Sequence, residues 1–307
     1  MENFLKIIVS GLDNAGKTSI LTALDKKYDF AKDIVHLKPT IRVEYHKMNF
    51  LRNSCIFWDM GGQSTYRDVY VQYQDVYFDA TDLLIYVIDI QDTERFENSL
   101  EYLDAILTFF TESEMDIPLI ITFHKLDPEL RGNEEISDQI TELREKILDK
   151  YSKFKILFQE TSIYDIISIV QLVSYGLSVF DDKFFELSEL LEKYLDEFKS
   201  QALIIFDRNG IIISEYYSNI DPDVYIQLLE SIKEHLFLLK RMEEETYEAD
   251  HDISTIEHKL FSYLHRLKIG QEPFFVSVAT KDNQKEDFLE KFPDFLESLK
   301  KILEELM

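Results

Sequence analysis

The chain changes its hydrophobic pattern near residue 183. Before that point, continuous apolar runs of strand length alternate with segments of helical period, which is typical of parallel strands connected by helices. The apolar runs are Phe4–Val9, Cys55–Trp58, Leu83–Asp89, Leu119–Phe123 and Ile156–Phe158, and the helical segments are about 17–24, 96–110, 136–148 and 166–180. A period-2 segment, 41–50, adds one more strand. We therefore predict an α/β domain over residues 1–182, with a mostly parallel sheet and helices on both faces.

The second half of the chain predicts a different architecture. Its segments follow the order helix, hairpin, helix, strands, helix, and an acidic patch interrupts them. The predicted elements are a helix over 184–199, strands over 202–206 and 211–216, a helix over 221–242, the acidic patch 243–252, strands at about 258–267 and 273–278, and a helix over 288–306. We predict a separate α+β domain with an antiparallel sheet over residues 183–307.

Composition narrows the classes of function. The 307 residues suit two domains, and 45% hydrophobic with 30% charged residues is globular composition. A net charge of −26 argues against nucleic acid or an anionic lipid surface as the main partner. The single cysteine, Cys55, excludes a disulfide framework. Because residue 2 is Glu2 rather than glycine and no run has the length of a membrane span, we expect a cytoplasmic protein that reaches membranes only through a partner.

A phosphate-binding loop follows the first strand. Gly11 to Thr18 reads G-x-x-x-x-G-K-T between an apolar strand and an amphipathic helix, which is the context that a P-loop requires. Lys17 is expected to reach the β- and γ-phosphates and Thr18 to bind Mg²⁺. The predicted phosphate-binding residues are Asp13, Asn14, Ala15, Gly16, Lys17, Thr18 and Ser19. The alternative is a glycine-containing turn that binds nothing.

Further candidates lie at the ends of other strands. Asp59 follows a buried strand and is placed to hold Mg²⁺, and Gly62 can approach a γ-phosphate. Gln63 is placed to orient an attacking water. Thr40 can give its hydroxyl to Mg²⁺ and its N–H group to the γ-phosphate. The predicted catalytic residues are Lys17, Thr40 and Gln63, and the predicted metal ligands are Thr18, Thr40 and Asp59.

The residues that follow the last two predicted strands of the first domain indicate that the site selects a guanine base. Asp127 can accept two hydrogen bonds from the N1–H and N2 amino groups of guanine, and adenine lacks this donor pair. The stem of Lys125 can cover the base beside His124, and the backbone amides of Ser162 and Ile163 can meet the guanine O6. Each motif alone has an alternative interpretation, as a turn or a solvated loop that binds no ligand. Five motifs in the right order, each at a strand end, indicate a guanine-nucleotide switch that binds GTP or GDP with Mg²⁺.

These motifs resemble two branches of the small GTPases. The stretches Gly11–Thr18 and Trp58–Gln63 resemble the Arf family. The stretches His124–Asp127, Thr161–Asp165, Pro39–Tyr45 and Leu84–Asp89 resemble the Rag/Gtr family. The resemblance implies GTP and GDP binding, Mg²⁺, slow GTP hydrolysis, and partners that read the nucleotide state, including activating and exchange proteins.

The order of elements after residue 183 resembles the roadblock/longin domain of Rag/Gtr proteins. This resemblance implies a dimer, homo- or heteromeric, with a second Rag-like GTPase, or binding to a roadblock-type scaffold. The leading hypothesis is thus a regulatory GTPase whose nucleotide changes the order of 28–40 and 60–75. The alternatives are a scaffold that holds GTP without hydrolysing it, and an Arf-type membrane-trafficking GTPase. The missing myristoylation glycine and the second domain disfavour the Arf type. Arg42 and Arg67 lie near the switches, but we assign neither as an arginine finger.

Overall fold

The computed structural model contains two compact units, residues 1–176 and 177–307, and each is described by itself. The described residues are 4–26, 37–51, 53–179, 183–207, 211–217, 253–257 and 260–307. The domain boundary between residues 182 and 183 stays a prediction.

The first unit contains a six-stranded sheet with the order β2-β3-β1-β4-β5-β6. The strands are β1 (Phe4–Gly11), β2 (Val43–Phe50), β3 (Asn53–Met60), β4 (Leu83–Asp89), β5 (Leu119–His124) and β6 (Ile156–Thr161). Only the pairing of β2 with β3 is antiparallel among these described strands, and the other pairs are parallel. Every residue of β4 and β5 is buried, as their continuous apolar runs predict. The predicted α/β fold with a mostly parallel sheet is confirmed.

The register of the parallel strands sets the positions of the loops that follow them. Asp89 at the end of β4 pairs with His124 at the end of β5, and His124 pairs with Thr161 at the end of β6. Val9 of β1 pairs with Asp59 of β3. The carboxyl ends of five strands therefore meet at one edge of the sheet, where ligand sites of such sheets lie.

The described residues before 183 form six α-helices. They are α1 (Lys17–Lys26), α2 (Ser64–Gln72), α3 (Gln74–Tyr77), α4 (Phe96–Glu112), α5 (Glu134–Lys150) and α6 (Ile166–Ser178). Helix α4 places Leu103, Ile106 and Phe110 in the core. The sequence pattern assigns no helix to residues 64–77. The reason is physical: Tyr70 is the only fully buried side chain of α2 and α3, so no apolar stripe marks these helices.

The second unit contains a five-stranded antiparallel sheet with the order β8-β7-β11-β10-β9. Its elements are α7 (Lys183–Phe198), β7 (Ala202–Asp207), β8 (Ile212–Tyr217), β9 (Ile253–Glu257), β10 (Leu260–Ile269), β11 (Glu272–Lys281) and α8 (Lys285–Leu306). Aromatic rings join the two helices, with the Phe198 and Phe288 centroids 5.1 Å apart. The predicted antiparallel sheet is present, and its element order is consistent with a roadblock/longin domain without identifying one.

Some predictions for the second unit differ from the structure. The sequence does not predict strand β9, because its apolar residues Ile253 and Ile256 are three positions apart and do not alternate with a period of two. The predicted strand at about 258–267 corresponds to β10, which ends at Ile269, and residues 258–259 lie outside the described residues. The predicted helix 221–242 and the acidic patch 243–252 lie outside the described residues.

Cys55 lies on β3 and is fully buried. Burial raises the pKa of its thiol to about 12, so the thiol stays protonated. Among the described helices, none combines the length and the hydropathy that crossing a membrane requires.

Candidate functional site

The loop between β1 and α1 wraps around the side chain of Lys17. Lys17 is 5% exposed, and its Nζ donates hydrogen bonds to the carbonyl oxygens of Gly11 at 3.1 Å and Leu12 at 2.7 Å. Burial lowers the pKa of Lys17 to about 8, and the charges of Asp59 and Asp13 oppose this shift. The ammonium group is thus held inside the loop, where an anion would gain most from it.

Gly16 lies in direct contact with the ring of His124. A Cβ atom at Gly16 would lie 2.4 Å from Cδ2 of His124, and the φ of Gly16 is +97°. Nδ1 of His124 shares a 2.8 Å hydrogen bond with Oγ1 of Thr161. The ring is 1% exposed, and burial lowers the pKa of His124 to about 3, which keeps it neutral. His124 therefore joins the phosphate loop to the strand ends of the predicted base site.

Three oxygen side chains from separate elements converge at the predicted metal site. Thr18 donates a hydrogen bond to Oδ2 of Asp59 at 2.5 Å, and Thr40 donates to the same atom at 3.1 Å. The hydroxyls of Thr18 and Thr40 are 2.8 Å apart. The structure thus brings together all three residues predicted to bind Mg²⁺.

The donor set fits Mg²⁺ chemically. The second carboxylate oxygen of Asp59, Oδ1, is buried without a hydrogen-bond partner, and burial raises the pKa of this carboxyl. A cation would satisfy both features, and hydroxyl and carboxylate oxygens are the ligands that Mg²⁺ prefers. The described residues hold no cluster of three or more His, Cys, Asp or Glu side chains suited to a metal, so the remaining ligands would be phosphate oxygens and water.

The segment after β3 lies against the phosphate loop. The Asp13 N–H group donates to the carbonyl of Gly62 at 3.0 Å, and Nε of Arg67 donates to the same oxygen at 2.9 Å. A Cβ atom at Gly62 would lie 2.2 Å from the nitrogen of Asp13. No side chain fits between these two backbone segments. Gln63 follows directly and is exposed.

A cavity of about 280 Å³ opens between these elements. Its lining consists of Asp13, Asn14, Gly16, Lys17, Thr18, Ser19, Leu37, Lys38, Pro39, Thr40, Gly62 and Gln63. It therefore contains nearly all residues predicted to bind phosphate or to act in catalysis. Ala15 is the exception among the predicted loop residues: it is buried and does not belong to this lining.

The predicted base site lies in loops outside the lining of this cavity. Oδ1 of Asp127 accepts a hydrogen bond from Oγ of Ser162 at 2.6 Å. Nζ of Lys125 forms an ion pair with Oδ2 of Asp89 at 2.7 Å, and Lys125 has a φ of 65°. Ile163 follows Ser162 at the start of the turn. The structure thus brings Asp127 and Ser162 together, and it places His124 at the end of β5 with Lys125 directly after it.

Two side chains that follow β4 contact the candidate site, one at its base end and one at its phosphate end, and neither is predicted from the sequence. Nε2 of Gln91 donates to the Lys125 carbonyl at 2.8 Å and to Oδ2 of Asp127 at 3.2 Å. Arg95 contacts Asp13 of the phosphate loop. Neither Gln91 nor Arg95 belongs to a sequence motif, so nothing in the sequence indicates that they contact the site. Arg131, which forms an ion pair with Asp165, was missed for the same reason.

Comparison with known proteins gives one family over the first unit. Residues 1–170 match the ADP-ribosylation factor family. ADP-ribosylation factor-like protein 3 of Chlamydomonas reinhardtii is 37% identical over 126 residues, 41% of this chain and 65% of that protein. ADP-ribosylation factor-like protein 5 of Caenorhabditis elegans is 40% identical over 103 residues, 33% of this chain and 52% of that protein. ADP-ribosylation factor-like protein 4C of Homo sapiens is 34% identical over 128 residues, 40% of this chain and 61% of that protein.

The chain thus spans between about half and two thirds of the length of these curated relatives. Among solved structures, the Arl6 BBS3 small GTPase from Trypanosoma brucei with bound nucleotide analogue GppNp is 17% identical, with a TM-score of 0.45, over 58% of this chain and 97% of that chain. The family match favours the Arf alternative over the Rag/Gtr interpretation, and it spans more than half of the sequence. The chain belongs to the ADP-ribosylation factor family.

Proposed function

We propose that this protein is an Arf-type switch that binds GTP and GDP with Mg²⁺ and hydrolyses GTP slowly without an activating partner. Proteins of the ADP-ribosylation factor family are GTPases that use these ligands. The observation that carries the proposal is the convergence of Thr18, Thr40 and Asp59 beside the cavity of the phosphate loop. Thr18 lies in α1, Thr40 in the segment before β2 and Asp59 in β3, and a shared ligand is the simplest reason for their proximity.

At the phosphate end, each residue has a distinct role in the proposed reaction. The ammonium of Lys17 binds the β- and γ-phosphate oxygens in place of the Gly11 and Leu12 carbonyls. Thr18, Thr40 and Asp59 would hold Mg²⁺, which neutralises phosphate charge when it is bound. Gln63 at the rim of the cavity orients the water that attacks the γ-phosphate. The close approach of Gly62 to Asp13 keeps the site narrow.

At the base end, Asp127 selects guanine. Ser162 fixes one carboxylate oxygen by its hydrogen bond, so the carboxylate keeps a defined plane. The lone pairs that remain accept the N1–H and N2 amino groups of the base. The stem of Lys125, held by Asp89, covers the base face, and the backbone amides of Ser162 and Ile163 meet the guanine O6.

The first test is titration calorimetry of the protein with GDP, GTP and ATP, each with and without Mg²⁺. We expect binding of GDP and GTP that requires Mg²⁺, and no comparable binding of ATP. Equal affinity for ATP, or no binding of either guanine nucleotide, would contradict the proposal.

An Asp127→Asn variant tests the base contact directly. It should weaken GDP binding by about tenfold or more, because an amide cannot accept both guanine donors. The same variant should gain affinity for XDP, whose base carries a carbonyl in place of the N2 amino group. Asp116→Asn, an exposed aspartate before β5, is the matched control and should leave both affinities unchanged.

A second candidate function is dimerisation of the Rag/Gtr type, with partner recruitment controlled by the nucleotide. The second unit supports it, because it has an antiparallel sheet of its own, in which β8 pairs only with β7 among the described strands. Size-exclusion chromatography with light scattering, run with GDP and with a GTP analogue, tests this. A monomer under all conditions, alone and with candidate GTPase partners, would contradict it. In this proposal, activating and exchange proteins act on the first unit, and any membrane association goes through a partner.

A further inference from the structure

Arg95 connects the turn after β4 to the phosphate loop. It ends the short 3₁₀ turn Thr93–Arg95 that precedes α4. Its Nη1 lies 3.1 Å from Oδ1 of Asp13, and its Nη2 donates to the Asp13 backbone carbonyl at 2.7 Å. Its Nε donates to Oδ2 of Asp92 at 2.7 Å, which fixes the plane of the guanidinium group. One side chain thus holds both the carboxylate and the backbone of Asp13.

The position of Asp13 makes this contact matter for an anionic ligand. Asp13 lines the cavity together with Lys17, Thr18 and Gly62. A carboxylate at that place repels phosphate groups unless a cation neutralises it. The charges of Asp13 and Arg95 also act on the Lys17 ammonium in opposite directions, the first raising and the second lowering its pKa. Both groups therefore lie within electrostatic reach of the phosphate-binding lysine.

We propose that Arg95 is a positioning residue of the nucleotide site, which neutralises Asp13 and thereby permits binding of the triphosphate. This inference rests on the proposed nucleotide binding. It assigns to Arg95 an effect through Asp13 and no contact with the substrate. Because GTP carries one more negative charge than GDP, the loss of Arg95 weakens GTP binding more than GDP binding.

The experiment is a double-mutant cycle on full-length protein, with GDP and a non-hydrolysable GTP analogue as ligands. The variants are Arg95→Gln, Asp13→Asn and the double variant, with calorimetry at low and at high salt. In the wild-type background, Arg95→Gln should weaken binding of the GTP analogue by about fivefold, and that of GDP by less. In the Asp13→Asn background the same change should have almost no effect, because there is no carboxylate left to neutralise. High salt should reduce the effect.

Two further variants separate this role from a structural one. Arg95→Lys keeps the positive charge and should restore most of the affinity if neutralisation is the role. Lys146→Gln removes an exposed cation that is paired with Glu142 on α5, and it is the matched control for a change in net charge. Thermal melting of each variant without nucleotide shows whether it is folded.

Three results would overturn the proposal. The first is an equal loss in both Asp13 backgrounds, which would mean that Arg95 acts through the backbone or on the phosphate directly. The second is an equal loss for GDP and the GTP analogue. The third is no loss at all. Failure of the underlying nucleotide binding is distinguishable, because the wild-type protein would then bind neither ligand.

Discussion

The two ends of the candidate nucleotide site are built on different principles. At the phosphate end, backbone segments touch each other, and glycines occupy positions where a Cβ atom has no space, as at Gly16 and Gly62. At the base end, side chains from separate elements hold the loops through ion pairs and hydrogen bonds. Examples are Lys125 with Asp89 and Arg131 with Asp165.

This difference has a consequence for mutation. Close backbone contact depends on shape, so a single added methyl group is expected to be severe. Partly exposed polar pairs each contribute little, so single changes at the base end are expected to be graded. The two ends meet where the ring of His124 touches Gly16. Four sets of measurements test this contrast, beginning with the substitution that we expect to be most severe.

Gly16→Ala should abolish tight nucleotide binding, with a loss of affinity of about a hundredfold or more. The added methyl group would collide with His124, and the backbone of residue 16 has a positive φ that is unfavourable for alanine. Fluorescence titration with a labelled GDP measures the loss. Gly132→Ala is a matched control, since Gly132 also has a positive φ, +82°, but open space around its Cα. Adding His124→Ala to Gly16→Ala should restore part of the affinity. A normal affinity for Gly16→Ala alone would contradict the shape argument.

Gln63→Leu should lower GTP turnover by at least about tenfold, because leucine cannot orient water, whereas the preference for GDP over inosine diphosphate should stay as in the wild type. Phosphate release under single-turnover conditions gives the rate. Gln72→Leu, an exposed glutamine at the end of α2, is the matched control. Unchanged turnover in Gln63→Leu would remove Gln63 from the mechanism and favour a scaffold that holds GTP.

GDP affinity should fall as the pH rises above about 8, by up to about tenfold per pH unit, because Lys17 loses its proton in the nucleotide-free protein. The sign is opposite for the stability of the nucleotide-free protein. The pKa of Lys17 is lower in the folded than in the unfolded chain, so the unfolded chain binds more protons between pH 8 and about 10.5. The contribution of Lys17 to the unfolding free energy therefore rises with pH in that window.

Calorimetry from pH 7 to pH 9 measures the first trend, and denaturant unfolding between pH 8 and about pH 10 measures the second. In a Lys17→Met variant the weak remaining affinity should not follow the same profile. An affinity for GDP that is constant up to pH 9 in the wild type would contradict the lowered pKa of Lys17.

Gln91→Met should weaken GDP binding by about threefold. It should also reduce the ratio of the affinity for GDP to that for inosine diphosphate, which lacks the N2 amino group. Gln91 donates to Oδ2 of Asp127, so its loss removes one of the two hydrogen bonds, with that of Ser162, that orient this carboxylate. Competition titration of the two diphosphates gives the ratio, with Gln72→Met as the control. If the ratio of the two affinities does not change, the role of Gln91 is only its hydrogen bond to the Lys125 carbonyl.

The same contrast explains what the sequence could predict. At the phosphate end, geometry demands particular residue types at fixed spacing, so the motifs predict Lys17, Thr18 and Asp59 as site residues. The sequence does not predict the contacts of Gln91 and Arg95. Any side chain that is long enough and carries a hydrogen-bond donor can make such a contact, and no fixed spacing identifies its position. The helices α2 and α3 were missed because they bury almost nothing.

In the second unit, long apolar patterns predicted α7, α8, β7 and β11 well. The family remained divided between two interpretations, because the phosphate motifs resembled Arf and the base motifs resembled Rag/Gtr. The match over residues 1–170 favours Arf. The motif around His124 shows why residue types at the base end discriminate poorly between the Arf and Rag/Gtr families. The neutral ring of His124 is hydrogen-bonded to Thr161 and fills the space between two loops, and more than one side chain can do that.

The buried thiol on β3 makes the protein convenient for spectroscopy. Cys55 is the sole cysteine of the sequence and is inaccessible, so maleimide dyes should leave the native chain unmodified. A cysteine introduced at the exposed position of Tyr164, next to Ile163, would then carry the only fluorophore. Its emission would report on the loop after β6 alone, without background from any other label.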